Sequence, residues 1–203
     1  MKHKPIFVSG IGTGIGKTVT SAVLVESLQA DYWKPVQSGD LDLTDTDRVK
    51  ALVSNGKSLF HAEAYRLTQP FSPHKSAALD NISISMAAIV LPQTDNRLII
   101  EGAGGLMVPL NETDLMVDLI QKLDAEVVLV SQNYLGSINH TLLSLELLKS
   151  RNIPLRALVI CGEENKDSEN IIRIKSGKEI LHIPFFEPLN KQVVSSFSKE
   201  FVL

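Results

Sequence analysis

The sequence predicts an α/β protein in which a mostly parallel sheet is flanked by helices on both faces. Two observations carry this prediction. Short runs rich in Val, Ile and Leu alternate with longer runs in which apolar residues recur at helical spacing. The short runs are apolar almost throughout, which is typical of strands that helices cover on both sides. With 203 residues, the chain is expected to form one domain over residues 1–203.

The predicted strands are the short apolar runs. Because ligands bind beyond the carboxyl ends of the strands in such sheets, the residues that follow each run are the candidates for chemistry. In chain order, the runs are Ile6–Ser9, Tyr32–Val36, Arg97–Glu101, Glu126–Ser131, Arg156–Cys161 and Glu179–Ile183.

The predicted helices are the longer runs. They contain good helix formers, with apolar residues near positions i, i+3 and i+4, as in the segment from Leu142 to Lys149. In chain order, the predicted helices are Thr18–Gln29, Asp47–Ser54, Ser83–Leu91, Leu115–Leu123, Ile138–Ser150 and Asn190–Phe201.

Composition excludes several classes of protein. Twenty Lys and Arg residues against 23 Asp and Glu residues give a formal charge of −3, so no basic surface for nucleic acid or an anionic membrane is expected. The apolar runs are far shorter than the roughly 20 residues of a membrane helix, and no signal peptide is recognisable. The single cysteine, Cys161, cannot form an internal disulfide, which predicts a cytoplasmic protein.

A glycine-rich loop, Gly10–Thr18, follows the first predicted strand and leads into a helix. The general phosphate-binding P-loop has four residues between its first glycine and the Gly-Lys pair, whereas five residues separate Gly10 from Gly16 here. Glycines let successive amides face phosphate oxygens; Lys17 would reach the β- and γ-phosphates, and Thr18 would reach Mg²⁺. A turn that binds nothing is the alternative, but four glycines followed by Lys-Thr argue for a P-loop NTPase-like fold. The predicted nucleotide-binding residues of the loop are Gly12, Thr13, Gly14, Ile15, Gly16, Lys17 and Thr18.

The second strand end carries Lys34 and Ser38, followed by four aspartates. Lys34 interrupts an apolar run and suits an anion, although this segment alone favours a solvated lysine at a strand edge. Asp40, Asp42, Asp45 and Asp47 lie within eight residues. They fit a solvated loop with helix capping, or one of them is a Mg²⁺ ligand.

Two further strand ends carry groups that could bind a metal or a substrate. Glu101 follows three apolar residues and precedes glycines, which is the position of the metal-binding acid of P-loop enzymes. After the fourth strand, Gly136–His140 opens a helix whose amides could receive a substrate carboxylate, or which is simply capped by Ser137. Neither His74 nor His140 is assigned to catalysis.

In this order the motifs resemble the dethiobiotin synthetase family. The resemblance rests on the long P-loop, Lys34-Pro35-Val36-Gln37-Ser38-Gly39, Ser72-Pro73-His74, Glu101–Gly105 with Pro109-Leu110, Gly136–His140 and Ile183-Pro184. It covers residues 5 to about 190, and the ordered set is far more specific than any single motif.

The resemblance implies an ATP-dependent ligase of biotin biosynthesis. Its substrates would be 7,8-diaminopelargonic acid, CO₂ or bicarbonate, and ATP. A substrate amine adds CO₂ to form a carbamate, whose oxygen attacks the γ-phosphate to give a carbamic–phosphoric anhydride. The second amine then closes the ureido ring of dethiobiotin and expels phosphate. Phosphoryl transfer of this kind depends on positioning and on charge stabilisation.

The resemblance also implies roles for individual residues. Lys17 and Lys34 would hold the γ-phosphate and the carbamate, and Ser38 would donate to the carbamate. The implied Mg²⁺ ligands are Thr18, Asp47 and Glu101, with Asp45 as the alternative to Asp47. Further implied nucleotide contacts are Glu101, Gly104, Cys161 and Pro184. Implied substrate contacts are Ser38, Gly104, Gly105, Gly136, Ser137 and Asn139. A homodimer is implied, because in this family the substrate tail reaches a segment of the second subunit.

The sequence departs from the family pattern at two positions. Gly14 stands where many members have an acidic residue, so any role of that carboxylate is absent or taken by another group. Cys161 stands where many members have an asparagine that recognises adenine, and a thiol lacks the paired donor and acceptor of a carboxamide. Weak selectivity for the base is therefore expected.

Two other classes share this branch of the P-loop fold. Partition and septum-positioning ATPases place a second lysine near the loop start, where Gly12 stands here. Cobyric-acid-type amidotransferases need a further glutaminase domain with a cysteine nucleophile, for which 203 residues leave no room. The sequence therefore favours the synthetase.

Overall fold

A computed structural model describes residues 3–203, and the bounds of its elements follow. The strands are β1 (Ile6–Gly10), β2 (Asp31–Trp33), β3 (Val36–Ser38), β4 (Phe60–His61), β5 (Tyr65–Leu67), β6 (Leu98–Gly105), β7 (Glu126–Gln132), β8 (Leu155–Cys161) and β9 (Ile180–Ile183). The helices are α1 (Lys17–Leu28), α2 (Asp45–Leu52), α3 (Pro73–Leu79), α4 (Met116–Lys122), α5 (Ser137–Ser150), α6 (Lys166–Ser176) and α7 (Lys191–Ser198). Among these residues no helix has the length and apolar character needed to cross a membrane.

Seven of the described strands form one sheet in the order β4-β2-β6-β1-β7-β8-β9, and every pairing in it is parallel. Strand β1 lies in the middle, between β6 and β7. Strands β3 and β5 form a separate parallel pair. The predicted α/β fold with a mostly parallel sheet is confirmed, and the carboxyl ends of the central strands meet at one edge, where the glycine-rich loop lies.

Helices cover both faces of the large sheet, and each face has its own apolar core. On one face, Val23 and Val25 of α1, Val49 of α2 and Val194 of α7 pack against the sheet. On the other face, the cluster contains residues of α4, α5 and α6, such as Leu148 and Ile172. The strands between the two layers read as continuous apolar runs because both of their faces are buried.

The predicted strand Tyr32–Val36 is two strands of different sheets. Strand β2 ends at Trp33, and β3 begins at Val36. Pro35 has no amide hydrogen to donate, and its carbonyl accepts hydrogen bonds from the amides of Ala64 and Tyr65 instead. The chain therefore leaves the large sheet at Lys34 and Pro35, and it pairs with β5.

The predicted helix Ser83–Leu91 is wrong. Only Met86–Ala88 makes a single 3₁₀ turn, and the rest of the segment is irregular. Ile84 and Ile89 are buried in the core, and Lys122 of α4 donates to the carbonyl oxygens of Met86 and Ile89. Tertiary contacts with another helix therefore hold this segment, not its own helical hydrogen bonds.

Two helices were not predicted, although each has recognisable end signals. Helix α3 begins with Ser72 and Pro73, a common arrangement at the first turn of a helix. Helix α6 is capped by Asn165, whose side chain accepts from the amide of Ser168 at 3.0 Å, and it ends at Gly177. The other predicted helices are confirmed within a few residues of their observed bounds.

Candidate active site

The glycine-rich loop connects β1 to α1 at the carboxyl edge of the sheet. Gly16 precedes α1 with φ of 97°, a left-handed conformation that favours glycine, and a Cβ there would lie 2.6 Å from Cys161 Sγ. No side chain caps α1, so the amides of its first turn are available to an anion. The loop therefore has the backbone arrangement of a phosphate site.

Lys17 lies inside the loop and is 8% exposed. Its Nζ donates to the carbonyl oxygen of Gly12 at 2.7 Å. Burial lowers the pKa of Lys17 to about 8; the nearby ammonium of Lys34 acts in the same direction, against the opposing effect of Glu101. A phosphate bound in the loop would add negative charge beside Lys17 and would raise its pKa again.

Glu101, at 1% exposure, joins three other polar side chains. Its Oε1 accepts from Thr18 Oγ1 at 3.0 Å and from Lys34 Nζ at 3.3 Å. Its Oε2 accepts from the hydroxyl of Tyr32 at 3.0 Å. Burial and the adjacent carboxylate of Glu101 raise the pKa of Tyr32 well above its ordinary value, so Tyr32 remains a hydrogen-bond donor. These contacts hold the Glu101 carboxylate beside the start of α1.

Lys34 lies between two carboxylates and is 4% exposed. Its Nζ is 2.8 Å from Asp45 Oδ2 and 3.3 Å from Glu101 Oε1. Burial disfavours the ammonium, but the charges of Glu101 and Asp45 outweigh burial and raise the pKa of Lys34. The alternative of a solvated lysine at a strand edge is therefore excluded.

The two candidate aspartates of α2 have different surroundings. Asp45 Oδ1 accepts from Thr18 Oγ1 at 3.2 Å, and Lys34 holds the pKa of Asp45 below its ordinary value although burial opposes this shift. Asp47 is engaged at the start of its own helix, where its Oδ2 accepts from the amide of Thr44 at 2.9 Å in a capping box. Of the two aspartates, Asp45 is thus the one whose carboxylate lies beside Thr18.

A cavity of about 560 Å³, here called the main cavity, opens beside the loop. The hydroxyl oxygen of Ser38 is buried and has no hydrogen-bond partner among residues 3–203. Of the predicted site residues, those that line the main cavity are Thr13, Gly14, Ile15, Gly16, Lys17, Thr18, Lys34, Ser38, Glu101 and Gly104. Gly12 and Gly105 do not line it; Gly105 packs beneath the loop, where a Cβ would lie 3.2 Å from the oxygen of Gly10.

Arg48 and Gln37 are polar residues of the main cavity that sequence reasoning missed. Arg48 lines it and makes an ion pair with Asp40 at 3.2 Å. Gln37 donates to the oxygen of Gly39 at 2.9 Å and accepts from the amide of Asp45 at 3.3 Å, so it connects the end of β3 to α2. Arg48 could have been found from the sequence, because it lies three residues after Asp45 on a helix and so shares a face with it.

A second cavity of about 250 Å³, here called the side cavity, lies against the same loop. Cys161 and Pro184 line it, as do Gly14, Ile15 and Gly16. The thiol of Cys161 is turned toward α1, since Sγ lies 3.3 Å from Thr20 Oγ1. Burial raises the pKa of Cys161 to about 11, so the thiol is protonated near neutral pH.

The predicted substrate segment at the start of α5 lies outside both cavities. Gly136, Ser137 and Asn139 line neither the main nor the side cavity. Asn139 instead lines a groove of about 730 Å³ along α5, together with residues of α6 such as Lys175. Within one chain, Asn139 therefore lines a different groove from the two cavities beside the loop.

Comparison with known proteins identifies the family. A family described as "AAA domain" matches residues 4–193. The ATP-dependent dethiobiotin synthetase BioD of Cytophaga hutchinsonii is 50% identical over 197 residues, which are 96% of this chain and 95% of that protein. The chain belongs to the ATP-dependent dethiobiotin synthetase family. The protein of the same name from Christiangramia forsetii is 48% identical over 203 residues, 98% of this chain and 96% of that protein. The expected ATP-dependent ligase of biotin biosynthesis is thereby confirmed.

Solved structures similar to this synthetase support its fold. A ParA family ATPase from Chlorobium tepidum superposes with a TM-score of 0.55 at 16% identity, covering 99% of this chain and 94% of the other. A putative plasmid partition protein from Borrelia burgdorferi superposes with a TM-score of 0.54 at 12% identity, covering 98% and 91%. At such identities the likeness concerns the fold alone. The partition ATPases therefore remain distant neighbours of this synthetase.

Proposed function

We propose that this chain converts 7,8-diaminopelargonic acid, CO₂ and ATP to dethiobiotin, ADP and phosphate with Mg²⁺. The observation that carries the proposal is the position of Lys34. Its buried ammonium lies at the same cavity as Lys17 and Ser38, so two cations and a hydroxyl face one space. A carbamate, a γ-phosphate and their mixed anhydride are all anionic, and cationic groups held in advance stabilise such species.

Magnesium fits the residues beside the loop. The hydroxyl oxygen of Thr18 lies 3.0 Å from Glu101 Oε1 and 3.2 Å from Asp45 Oδ1. In nucleotide sites Mg²⁺ takes one or two carboxylates, with phosphate oxygens and water as the other ligands. We therefore infer that Thr18, Glu101 and Asp45 hold it, and Asp47 stabilises the start of α2. When bound, Mg²⁺ would supply charge stabilisation to the phosphates.

The carbamate would lie between Lys34 and Ser38. The unpartnered hydroxyl of Ser38 supports this placement, since a buried hydroxyl without a partner is costly and a carbamate oxygen would accept a hydrogen bond from it. Lys34 would orient the attacking oxygen, and Lys17 would hold the γ-phosphate in line with it. After transfer, the second amine attacks the carbamoyl carbon and phosphate leaves.

A homodimer would complete the site. Leu135, directly before the α5 segment, is 103% exposed, and Gly136–Asn139 lies outside the main and side cavities of its own chain. An apolar side chain in this position suits an interface with a second copy, whose α5 amides would then receive the substrate carboxylate. Light scattering of the wild type and of Leu135→Asp tests this proposal; a monomeric wild type would contradict it.

The proposed reaction is tested by phosphate release. With ATP and Mg²⁺ present, phosphate should appear only when diaminopelargonate and bicarbonate are both added, and dethiobiotin should form in equal amount. Phosphate release that is independent of both substrates would contradict the proposal and would indicate a simple ATPase. We also propose that residues 1–203 act as one domain. The single, buried Cys161 supports a cytoplasmic location.

A further inference from the structure

The side cavity is placed to receive a nucleobase. It shares Gly14, Ile15, Gly16 and Val19 with the main cavity, so a nucleotide with its phosphates on the loop can reach it. Its other walls are largely apolar, including Phe185, and apolar walls of this kind suit the faces of a base. The polar side chains that line it then decide which base is accepted.

Two polar side chains of the side cavity, Cys161 and Gln132, could select the base. Cys161 is poorly placed to contact it. Its thiol is 5% exposed, and its Sγ lies 3.3 Å from Thr20 Oγ1 and 3.8 Å from the oxygen of Gly16. A thiol engaged with α1 and the loop has no free polar edge to offer a base.

Gln132 is the other polar side chain of the side cavity. It ends β7 and pairs in the sheet with Cys161 of β8. Its carboxamide therefore lies one strand away from position 161, where many family members have the asparagine that recognises adenine. The neighbouring Asn133 is engaged, since its Nδ2 donates to Glu163 O and to Glu169 Oε1. The carboxamide of Gln132, by contrast, has no hydrogen-bond partner among the described residues, and Gln132 is half-buried.

We propose that Gln132 is the residue that selects adenine, in place of a side chain at Cys161. A carboxamide offers one acceptor and two donors, which match the amino group and an adjacent ring nitrogen of adenine. This pairing would restore the base selectivity that Cys161 by itself cannot provide. The inference rests on the proposed function only in that a nucleotide binds on the loop.

Nucleotide binding, not turnover, tests this inference. Calorimetry would compare ADP with purine riboside 5′-diphosphate, which has the same shape but lacks the amino group. We expect the wild type to bind ADP about tenfold more tightly, roughly 1.4 kcal/mol. In Gln132→Met, which keeps the side-chain length, the ratio should fall to about twofold or less, while binding of the purine analogue stays unchanged. Any difference in stacking between the two bases persists in the variant, so the fall in the ratio isolates the carboxamide.

Gln121→Met is the matched control, because it removes a carboxamide of α4 outside the side cavity; the wild-type ratio should persist there. A wild-type ratio near one, or a ratio that survives in Gln132→Met, would overturn the inference. Equal weakening of both ligands would also overturn it, because that outcome assigns Gln132 a structural role. If the ratio behaves as expected but no dethiobiotin forms, only the proposed reaction fails.

Discussion

Replacing Lys34 with methionine should destabilise the protein strongly in the absence of Mg²⁺. Methionine keeps the length of the side chain, so the main loss is the ammonium between Glu101 and Asp45. Glu101 is 1% exposed and the side chain of Asp45 is 20% exposed, so neither charge is fully hydrated. Breaking a buried ion pair by removing one partner costs about 3–5 kcal/mol. For a chain of this size, a loss of about 3 kcal/mol lowers Tm by roughly 6–12 °C.

The pH dependence of stability gives a second readout of the same change. In the wild type, the lowered pKa of Asp45 means that its contribution is present above the ordinary value near 3.9 and is lost as pH falls through the folded value. In Lys34→Met, the two carboxylates repel each other, and the cations left near them are Lys17 and Arg48, which lies 3.8 Å from Asp45. Protonation of one carboxylate relieves this repulsion. Acidification from pH 8 to pH 5 should therefore stabilise the variant relative to the wild type.

Urea denaturation with EDTA at several pH values checks both expectations. Lys4→Met is the matched control, since it removes a 2.7 Å ion pair with Asp124 in which both side chains are exposed. An exposed pair of this kind contributes about 1 kcal/mol or less. Added Mg²⁺ should stabilise Lys34→Met more than the wild type, because the cation compensates the same carboxylates. If Lys34→Met unfolds at the same urea concentration as Lys4→Met, the burial argument for this cluster is refuted.

The remaining predictions concern nucleotide affinity, the Mg²⁺ requirement and the protonation of Lys17. Lys17→Ala should weaken nucleotide binding and turnover together, whereas Lys34→Ala should spare ADP affinity and lower kcat by about 10²–10³; calorimetry and steady-state kinetics separate the two. Asp45→Asn should raise the Mg²⁺ concentration needed for half-maximal activity, and Asp47→Asn should leave it unchanged while lowering stability; a Mg²⁺ titration showing the reverse would restore Asp47 as the ligand. The pKa of Lys17 is about 8 in the protein without nucleotide. ADP affinity should therefore be at its maximum below pH 8, where Lys17 is protonated, and should decline as pH rises through that value. Calorimetry in buffers of different ionisation enthalpy should detect proton uptake when ADP binds at pH 8. If no proton is taken up, the lowered pKa of Lys17 is contradicted.

Much of the site was predictable because its residues are marked within short stretches of sequence. Gly16, Lys17 and Thr18 stand in a contiguous motif, and Glu101 follows an apolar strand whose end must lie at the same sheet edge as the loop. Asp45 and Asp47 could not be separated in this way. Both lie at the start of one helix, and the decision depends on Thr44, whose amide engages Asp47 and leaves Asp45 to face Thr18.

Other features depend on contacts between distant segments. The segment Ser83–Leu91 has the composition of a short helix, but Lys122, more than thirty residues away, binds two of its carbonyl groups. The place of Gln132 in the side cavity depends on the register between β7 and β8, which no local pattern encodes. Sequence periodicity describes one helix or strand at a time. The register between two strands, and the contacts that a side chain makes with a distant segment, are therefore visible only in the structure.

The contact between Gly16 and Cys161 makes the thiol a reporter of the loop. A protonated thiol with a pKa of about 11 and 5% exposure should react slowly with alkylating reagents, because the thiolate is the nucleophile. Sγ packs against Gly16 and Thr20, so a group attached to it must either extend into the side cavity or displace the loop. The rate of alkylation, compared with and without nucleotide, therefore reports on the packing between the loop and β8, and the chain's one cysteine makes the label specific.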